Sequence, residues 1–351
     1  MEKDTISSKK NNIYENLKFH STAVFTCKMQ HGRQKKTQTE AQRIEREAEQ
    51  KRRIEEYKVA QETVFNGKEA GKYDSEILQH TTELLELNPE INTAWNYRRQ
   101  ILQHLFISLQ ADEKQTELET ELAFINSLIR KNIKSYWMWN HRKWILESMP
   151  TPNWEGELAL INKLFDVDAT NFHGWDYRRY VIDNLGTISD MDSLKLKEFD
   201  YTYKRIKQNF SNHSAWHYRS KLFPSVIQII GPDLAKKLLK KEVEIIKRAI
   251  YSDPDDQNAW LYLEWLSDFG DEKHKIRTEG FTIAKELIEL SPESKYAMIS
   301  VIKYITDPAN TANITTEDIN LCLVYILKLK ALDPFRAKMY DSLESKIKPT
   351  C

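Results

Sequence analysis

The stretch from Asp168 to Arg179 reads Asp-Ala-Thr-Asn-Phe-His-Gly-Trp-Asp-Tyr-Arg-Arg. It contains a phrase with three fixed positions: a polar residue, Asp168, then Trp175 seven residues later, then Arg178 three residues after the tryptophan. The phrase recurs elsewhere in the chain around Trp95, Trp139, Trp216 and Trp260. Five tryptophans in one register do not arise from composition alone.

The five copies follow one another at spacings of 44, 36, 41 and 44 residues, a period typical of helical repeat arrays. The polar residues seven before each tryptophan are Asn88, Asn132, Asp168, Asn209 and Asp253. Arginine follows in four copies, as Arg98, Arg142, Arg178 and Arg219, and the fifth copy has Leu263 instead.

Each copy spans a helix–turn–helix pattern. In the first copy, apolar residues at three- and four-residue spacing predict a helix up to Leu87. Asn88-Pro89 ends this helix, because a proline there cannot continue it, and a second helix follows from about Asn92. The pattern predicts a repeat array over residues 73–348, with hairpins at about 74–107, 113–148, 154–184, 190–222, 233–268, 272–305 and 316–347. The last two carry Met298 and Tyr340 at the tryptophan position, as expected of capping repeats.

The chain before the array differs in character. Residues 1–30 are polar and unpatterned, which predicts disorder. Residues 31–72 predict a charged helix, and its charges are mixed in sign, as in a solvated helix supported by pairs three and four residues apart.

The composition excludes several classes of protein. The 351 residues include 52 basic and 52 acidic side chains, so no net field favours nucleic acid as a partner. The three cysteines are too few for a disulfide framework, which indicates a reducing, most simply cytosolic, location. No apolar run approaches the roughly 20 residues that a bilayer crossing needs, and no secretory signal begins the chain. Scarce glycine and abundant helix formers favour an all-α fold.

The repeated residues have a physical interpretation. A tryptophan one turn into the second helix is large enough to fill the gap between adjacent hairpins. The arginine three residues later lies beside it on the helix and could bond carbonyls or carboxylates of the neighbouring repeat, or alternatively a ligand. Phosphate-binding loops, nucleophile elbows and zinc motifs are missing from the sequence. The residues alone therefore indicate a scaffold that presents a surface to something else.

The Asn/Asp-x-x-x-x-x-x-Trp-x-x-Arg repeat resembles the signature of the protein prenyltransferase α subunits, over about residues 74–347. The resemblance implies an all-α fold, a right-handed superhelical crescent of about seven hairpins that wraps a separate β subunit. Met29-Gln30-His31-Gly32-Arg33, Asn171 to Arg179 and Asp253 to Trp260 look like the Rab-type (type II geranylgeranyl) branch. In farnesyl-type members Gln follows the Lys-x-Tyr of the second repeat and helps read CaaX substrates, whereas here Trp137 follows Lys134-Ser135-Tyr136.

The resemblance also implies site residues. Lys134 matches the lysine that approaches the isoprenoid diphosphate, a role that suits a mobile point charge. Tyr136 matches the neighbouring phenol, and Asn171 and His173 match a polar pair that faces the active site. Phe172 stands where farnesyl-type members have tyrosine. On the residues alone, the favoured interpretation is that Lys134 is an ordinary exposed turn lysine and that His173 is a hydrogen-bond donor within the repeats.

The resemblance further implies zinc on the β subunit rather than on this chain, and His31 as a candidate autoinhibitory contact to that zinc. The implied partners are the β subunit, a Rab escort protein with its Rab GTPase, and geranylgeranyl diphosphate at the subunit interface. The implied activity is transfer of geranylgeranyl to C-terminal cysteines of Rab proteins. Two alternatives stay open: a shared α subunit of farnesyl and type I geranylgeranyl transferase, and a non-enzymatic helical-repeat adaptor.

Overall fold

The structure, a computed structural model, describes residues 39–269, 272–307 and 315–347. The predicted disorder of residues 1–30 and the predicted role of His31 lie outside the described residues. The chain divides into two units, Met1–Ala70 and Gly71–Cys351.

The described part of the first unit is one helix, α1 (Glu40–Glu69). Thr39 begins it with a capping box, in which its hydroxyl accepts from the backbone of Gln42 and the Gln42 side chain accepts from the backbone of Thr39. Exposed ion pairs such as Arg43–Glu40 (2.7 Å) and Arg52–Glu49 (2.8 Å) follow along its surface. Exposed pairs of this kind contribute little to stability, so the described part of this helix is charged and solvated.

The second unit contains seven helical hairpins within its described residues. Their helices are α2 (Ser75–Leu87) and α3 (Asn92–Leu105); α4 (Ala111–Ile129) and α5 (Tyr136–Ser148); α6 (Trp154–Val167) and α7 (Phe172–Leu185); α8 (Met191–Gln208) and α9 (His213–Ile230); α10 (Pro232–Ser252) and α11 (Gln257–Ser267); α12 (Lys273–Leu290) and α13 (Lys295–Ile305); α14 (Thr316–Leu332) and α15 (Ala337–Ile347). Short 3₁₀ turns cover Phe106–Ser108 and Pro334–Arg336. The described residues contain no strand, and the all-α repeat fold predicted from the sequence is confirmed.

The tryptophans of the repeat are buried, with 6% or less of each exposed. Each indole Nε1 donates to the backbone carbonyl six residues earlier, as Trp139 does to Ile133 (3.0 Å) and Trp175 to Ala169 (2.9 Å). The same bond is made by Trp95, Trp216 and Trp260. The tryptophan therefore fixes the turn of its own hairpin while its rings fill the core.

The arginines of the repeat join each hairpin to the next. Arg178 on α7 donates from Nε and Nη2 to the two carboxylate oxygens of Glu198 on α8, at 2.6 Å each, and both side chains are buried. The equivalent pairs are Arg98–Glu121, Arg142–Glu157 and Arg219–Glu242. The expected bonding of these arginines between repeats, rather than to a ligand, is what the structure shows. We call these four pairs the Arg–Glu bridges.

None of the helices in the described part of the chain combines the length and apolarity that a bilayer crossing requires.

Candidate functional site

Lys134 lies in the turn between α4 and α5, two residues before the first residue of α5. Its side chain is 53% exposed, and Nζ lies 3.9 Å from Oδ2 of Asp168, in the corresponding turn of the next hairpin. Asp168 also accepts from Thr170 and from the amide of Asn171, at 3.4 Å each. The lysine is thus a solvent-accessible cation, and the Asp168 carboxylate beside it also accepts hydrogen bonds from its own turn.

The N-terminus of α5 adjoins this lysine. Ser135, the N-cap residue, makes no side-chain hydrogen bond to the first turn, in contrast to Asn171 and Asn212 at the equivalent positions of α7 and α9. The first backbone N–H groups of a helix have no partner within the helix and carry partial positive charge. Lys134 and the start of α5 therefore form one electropositive edge.

Aromatic side chains flank that edge. Tyr136 is 55% exposed, and its ring centroid lies 5.1 Å from Trp137 and 6.1 Å from His173. Phe172, 66% exposed, lies with its ring 3.9 Å from that of His173. Large apolar rings exposed to water are unfavourable on an isolated surface, whereas aromatic side chains are common in interfaces, so this edge has the character of an interface.

His173 connects the third hairpin to Lys134. Partial burial lowers the pKa of His173, and a hydrogen bond to the backbone of Lys134 opposes this shift without reversing it. The ring is therefore neutral near pH 7. A hydrogen bond raises the pKa of a histidine when the imidazole donates it, so the N–H of His173 points to the carbonyl of Lys134.

Asn171 has a different environment from the other three predicted site residues. Its side chain is 4% exposed. The carbonyl oxygen accepts from the backbone of Gly174 at 3.0 Å, and the amide donates to the carbonyl of Ile133 at 3.4 Å. Asn212 repeats both bonds, to Ala215 and Ala169, one hairpin later. Asn171 caps α7 and ties it to the preceding turn, while Lys134, Tyr136 and His173 share the exposed edge.

The sequence interpretation missed two sets of residues. Asp168 was read only as a turn residue, although its carboxylate lies 3.9 Å from the ammonium of Lys134. The glutamates of the Arg–Glu bridges were missed altogether, and their signal was a spacing: each lies 18 residues before the tryptophan of its own repeat, as in Glu198 and Trp216.

Within residues 39–269, 272–307 and 315–347, no group of three or more His, Cys, Asp or Glu side chains is arranged to hold a metal ion.

Comparison with known proteins identifies the class of protein first. The family model described as "Protein prenyltransferase alpha subunit repeat" matches residues 74–105, 118–149, 154–185, 196–225 and 239–269. These ranges coincide with the first five hairpins.

Two relatives identify the branch. The chain is 32% identical over 324 residues to the geranylgeranyl transferase type-2 subunit alpha of Saccharomyces cerevisiae, covering 88% of this chain and 97% of that one. It is 38% identical over 255 residues to the bovine protein of the same name, covering 70% of this chain. The chain therefore belongs to the protein prenyltransferase α-subunit family, among the geranylgeranyl transferase type-2 α subunits.

The aligned region spans 43% of the bovine protein, less than half of its length. Among solved structures, a chain of Candida albicans protein geranylgeranyltransferase-I complexed with GGPP superimposes with a TM-score of 0.64 at 22% identity, covering 84% of this chain and 91% of that one. At 22% identity, this similarity shows that the two chains share a fold.

Proposed function

We propose that this chain is the α subunit of a heterodimeric enzyme that transfers geranylgeranyl from geranylgeranyl diphosphate to C-terminal cysteines of Rab GTPases presented by an escort protein. The observation that carries the proposal is the electropositive edge formed by Lys134 and the start of α5, in a chain related over nearly its whole described length to type-2 α subunits. The reaction would take place in the cytosol.

In this proposal Lys134 stabilises the diphosphate leaving group. Breaking the carbon–oxygen bond of an allylic diphosphate places additional negative charge on the departing oxygen, and a fixed cation lowers the energy of that state. The ammonium of Lys134 is accessible, and the carboxylate of Asp168 is 3.9 Å away. A diphosphate carries more charge than one carboxylate and can displace it. The N–H groups at the start of α5 add donors on the same side.

Tyr136 and His173 have supporting roles. The neutral His173 ring holds the backbone of Lys134 through its hydrogen bond and so fixes where the ammonium can reach. Tyr136 stands beside the lysine with its ring exposed, where its hydroxyl can donate to a phosphate oxygen. Asn171 has an indirect, positioning role, because its buried side chain holds the turn of the third hairpin against Ile133.

The zinc ion of the proposed enzyme belongs to the β subunit. There it would lower the pKa of the substrate cysteine and supply the thiolate that attacks the isoprenoid carbon. The residues of this chain provide the diphosphate side of the reaction, and the thioether bond forms at the subunit interface.

The direct test replaces Lys134 by alanine in the heterodimer purified after co-expression with a type-2 β subunit. Single-turnover transfer of geranylgeranyl to a Rab protein with escort protein should fall by about 10²-fold or more, the size expected for removing one charged group that stabilises a transition state. Lys131→Ala, which removes an exposed lysine from the same turn, is the matched control. Equal rates for Lys134→Ala and Lys131→Ala would remove Lys134 from the mechanism.

The same preparation distinguishes the alternative of a shared farnesyl and type I α subunit. Trp137, in place of the glutamine that helps farnesyl-type members read a CaaX carboxylate, supports dependence on the escort protein. Transfer to a CaaX peptide without escort protein would favour the alternative. A chain that forms no complex with any β subunit would remain a helical-repeat adaptor.

A further inference from the structure

Lys134 is the only cation at its position in the seven turns of the repeat. Two residues after the polar residue that opens each turn, the other six turns carry Glu90, Thr170, Ser211, Asp255, Glu293 and Phe335. In the next hairpin, the residue that opens the turn is Asp168, and its Oδ2 lies 3.9 Å from Nζ of Lys134. The one cation in this row of turn residues therefore lies beside a carboxylate of the neighbouring turn.

The turn itself does not require a charge at the position of Asp168. Four other turns have a neutral residue there, namely Asn88, Asn132, Asn209 and Ser291. The side-chain oxygens of Asn88 and Asn209 each accept from the backbone N–H two residues later at 3.0 Å, and Asp253 makes the same bond at 3.1 Å. An amide oxygen therefore serves this turn as well as a carboxylate oxygen does.

Asp168 uses its carboxylate differently from these residues. Its oxygens accept from the hydroxyl of Thr170 and from the side-chain amide of Asn171, at 3.4 Å each, rather than from the backbone N–H two residues later. Asn171 is the buried cap of α7, so it ties the carboxylate to the start of a packed helix. Lys134, by contrast, has a long side chain that is 53% exposed. A held carboxylate thus lies beside a cation that can move.

The substrate and the product of the proposed reaction differ in charge at this edge. Transfer breaks the bond between the isoprenoid carbon and the diphosphate oxygen, which keeps the electron pair, while the thiolate supplies the pair for the new carbon–sulfur bond. The inorganic diphosphate that results carries more negative charge than the ester and has lost the apolar chain. A cation beside a helix N-terminus would hold this anion firmly unless another anion competed for the cation.

We propose that Asp168 is a positioning residue that loosens the hold on inorganic diphosphate. It keeps the Lys134 ammonium beside the start of α5 when the edge is empty, and it competes with the product for that ammonium after transfer. This role rests on the proposed function, because it requires Lys134 to meet the diphosphate. It also favours the substrate over the product, since burial of the isoprenoid chain offsets the loss of the ion pair only for the substrate.

The test measures the dissociation constant of the purified heterodimer for inorganic diphosphate by calorimetry in buffer without Mg²⁺. Asp168→Asn should lower this constant about 5-fold or more, because Lys134 no longer has to leave a carboxylate to meet the anion. Asp168→Ser should act in the same direction. Both residue types occur at this position in other turns, as Asn209 and Ser291, so the turn can form in either variant.

Asp253→Asn is the matched control. It makes the same change at the same position of the fifth turn, where the preceding turn has Ser211 in the place that corresponds to Lys134. The dissociation constant for inorganic diphosphate should therefore equal that of the wild type. An unchanged or higher constant in both Asp168→Asn and Asp168→Ser would overturn the role of Asp168.

A double-variant cycle tests whether Asp168 acts through Lys134. In the Lys134→Ala background, the further change Asp168→Asn should alter the dissociation constant by less than about twofold. A purely structural role of Asp168, or direct repulsion between its carboxylate and the anion, would give the same fold-change with and without Lys134. That outcome would also overturn the proposed role.

The proposed role and the proposed function fail separately, because diphosphate binding is measured without any transfer. A heterodimer that transfers geranylgeranyl, but whose affinity for diphosphate does not respond to Asp168→Asn, keeps the proposed function and loses the role of Asp168. A heterodimer that responds to Asp168→Asn but transfers no geranylgeranyl keeps the role of Asp168 and loses the proposed function. A wild-type heterodimer that binds no inorganic diphosphate overturns the role of Asp168, and the transfer assay alone then decides the proposed function.

Discussion

His141 donates a hydrogen bond from Nε2 to Oε1 of Glu121 at 2.7 Å, and both side chains are buried. Arg98 of the preceding hairpin holds the same carboxylate through two bonds of 2.6 Å. On its other side, Nδ1 of His141 accepts from Nε of Arg99 at 3.1 Å. A ring that accepts at one nitrogen and donates at the other is neutral.

The pKa values agree with this assignment. Burial lowers the pKa of His141, and Arg98 and Arg99 act in the same direction, while Glu121 opposes them. Burial by itself would raise the pKa of Glu121, but the charge of Arg98 and the bonds from His141 and Arg98 bring it to about 2. Glu121 therefore stays ionised and His141 neutral throughout the physiological range.

The first prediction concerns the pH dependence of stability. The unfolded chain binds a proton at His141 below its ordinary pKa of about 6.5, whereas the folded chain resists it. The free energy of unfolding should therefore be highest above pH 6.5 and fall as the pH drops below it. The third hairpin has a tyrosine, Tyr177, at the position of His141, and its hydroxyl donates to the bridge glutamate Glu157. The variant His141→Tyr therefore keeps a donor for Glu121 and removes the group that binds a proton near pH 6.5.

The measurement is the urea midpoint at pH 7.5 and at pH 5.5. The difference between the two midpoints should be smaller in His141→Tyr than in the wild type. His213→Tyr, at an exposed histidine, should leave the wild-type difference unchanged. The same pH dependence in His141→Tyr as in the wild type would contradict a neutral, buried His141.

The second prediction concerns the Arg–Glu bridges. Arg178→Ala leaves Glu198 buried without its cation, and removing one member of such a pair costs about 3–5 kcal/mol. The double variant Arg178→Met/Glu198→Leu should lose less free energy of unfolding than Arg178→Ala, because no charge stays buried. Urea unfolding of the three proteins measures both effects. A double variant less stable than Arg178→Ala would show that the bridge itself, and not the orphaned carboxylate, determines the loss.

How far the sequence predicts this molecule depends on which contacts repeat. The Trp and Arg positions are visible because they recur in register, and they led to the hairpins and to bonding between repeats. The glutamate partners recur equally well, at a constant spacing from the tryptophan, but glutamate is frequent in this chain and its periodicity is easily overlooked. The loss of the bridge at Leu263 was visible in the sequence, whereas the groove of about 450 Å³ that Leu263 lines in part depends on packing among four helices.

The candidate site shows the other limit. A resemblance transfers residue identities without their environments, so Lys134 and Asn171 looked equivalent as site residues. Their exposed fractions of 53% and 4% separate them, because an asparagine before Gly174 is in place to cap a helix, whereas Lys134 lies in an open turn.

The third prediction concerns Ser135. Its side chain is buried, and its Oγ has no hydrogen-bond partner among the described residues. Asn171 and Asn212, at the same position in the next two hairpins, cap their helices and bond the preceding turn. Ser135→Asn should therefore stabilise the chain by about 0.5–1 kcal/mol.

The melting temperature of the chain measures this gain. Ser294→Asn is the control, because Ser294 already accepts from Ala297 and contacts the carbonyl of Pro254, and it should gain less. A lower melting temperature for Ser135→Asn would mean that the second hairpin has no room for the larger side chain.

The fourth prediction concerns the hydrogen bond from His173 to the backbone of Lys134. His173→Gln retains an N–H donor of similar reach, whereas His173→Phe keeps a ring beside Phe172 and removes the donor. If the bond positions the ammonium, the single-turnover transfer rate of the heterodimer should fall about 10-fold in His173→Phe, because misplacing one catalytic group lowers a rate by this factor or more. The His173→Gln variant should recover most of the lost rate. Because the pKa of His173 is lowered below its usual range, the wild-type ring is neutral at pH 7 and above, and the ratio of wild-type to glutamine rates should be constant from pH 7 to pH 8. An equal fall in transfer rate in both variants would mean that the N–H donor of His173 is not what matters, and that the ring has another role, such as direct contact with the substrate.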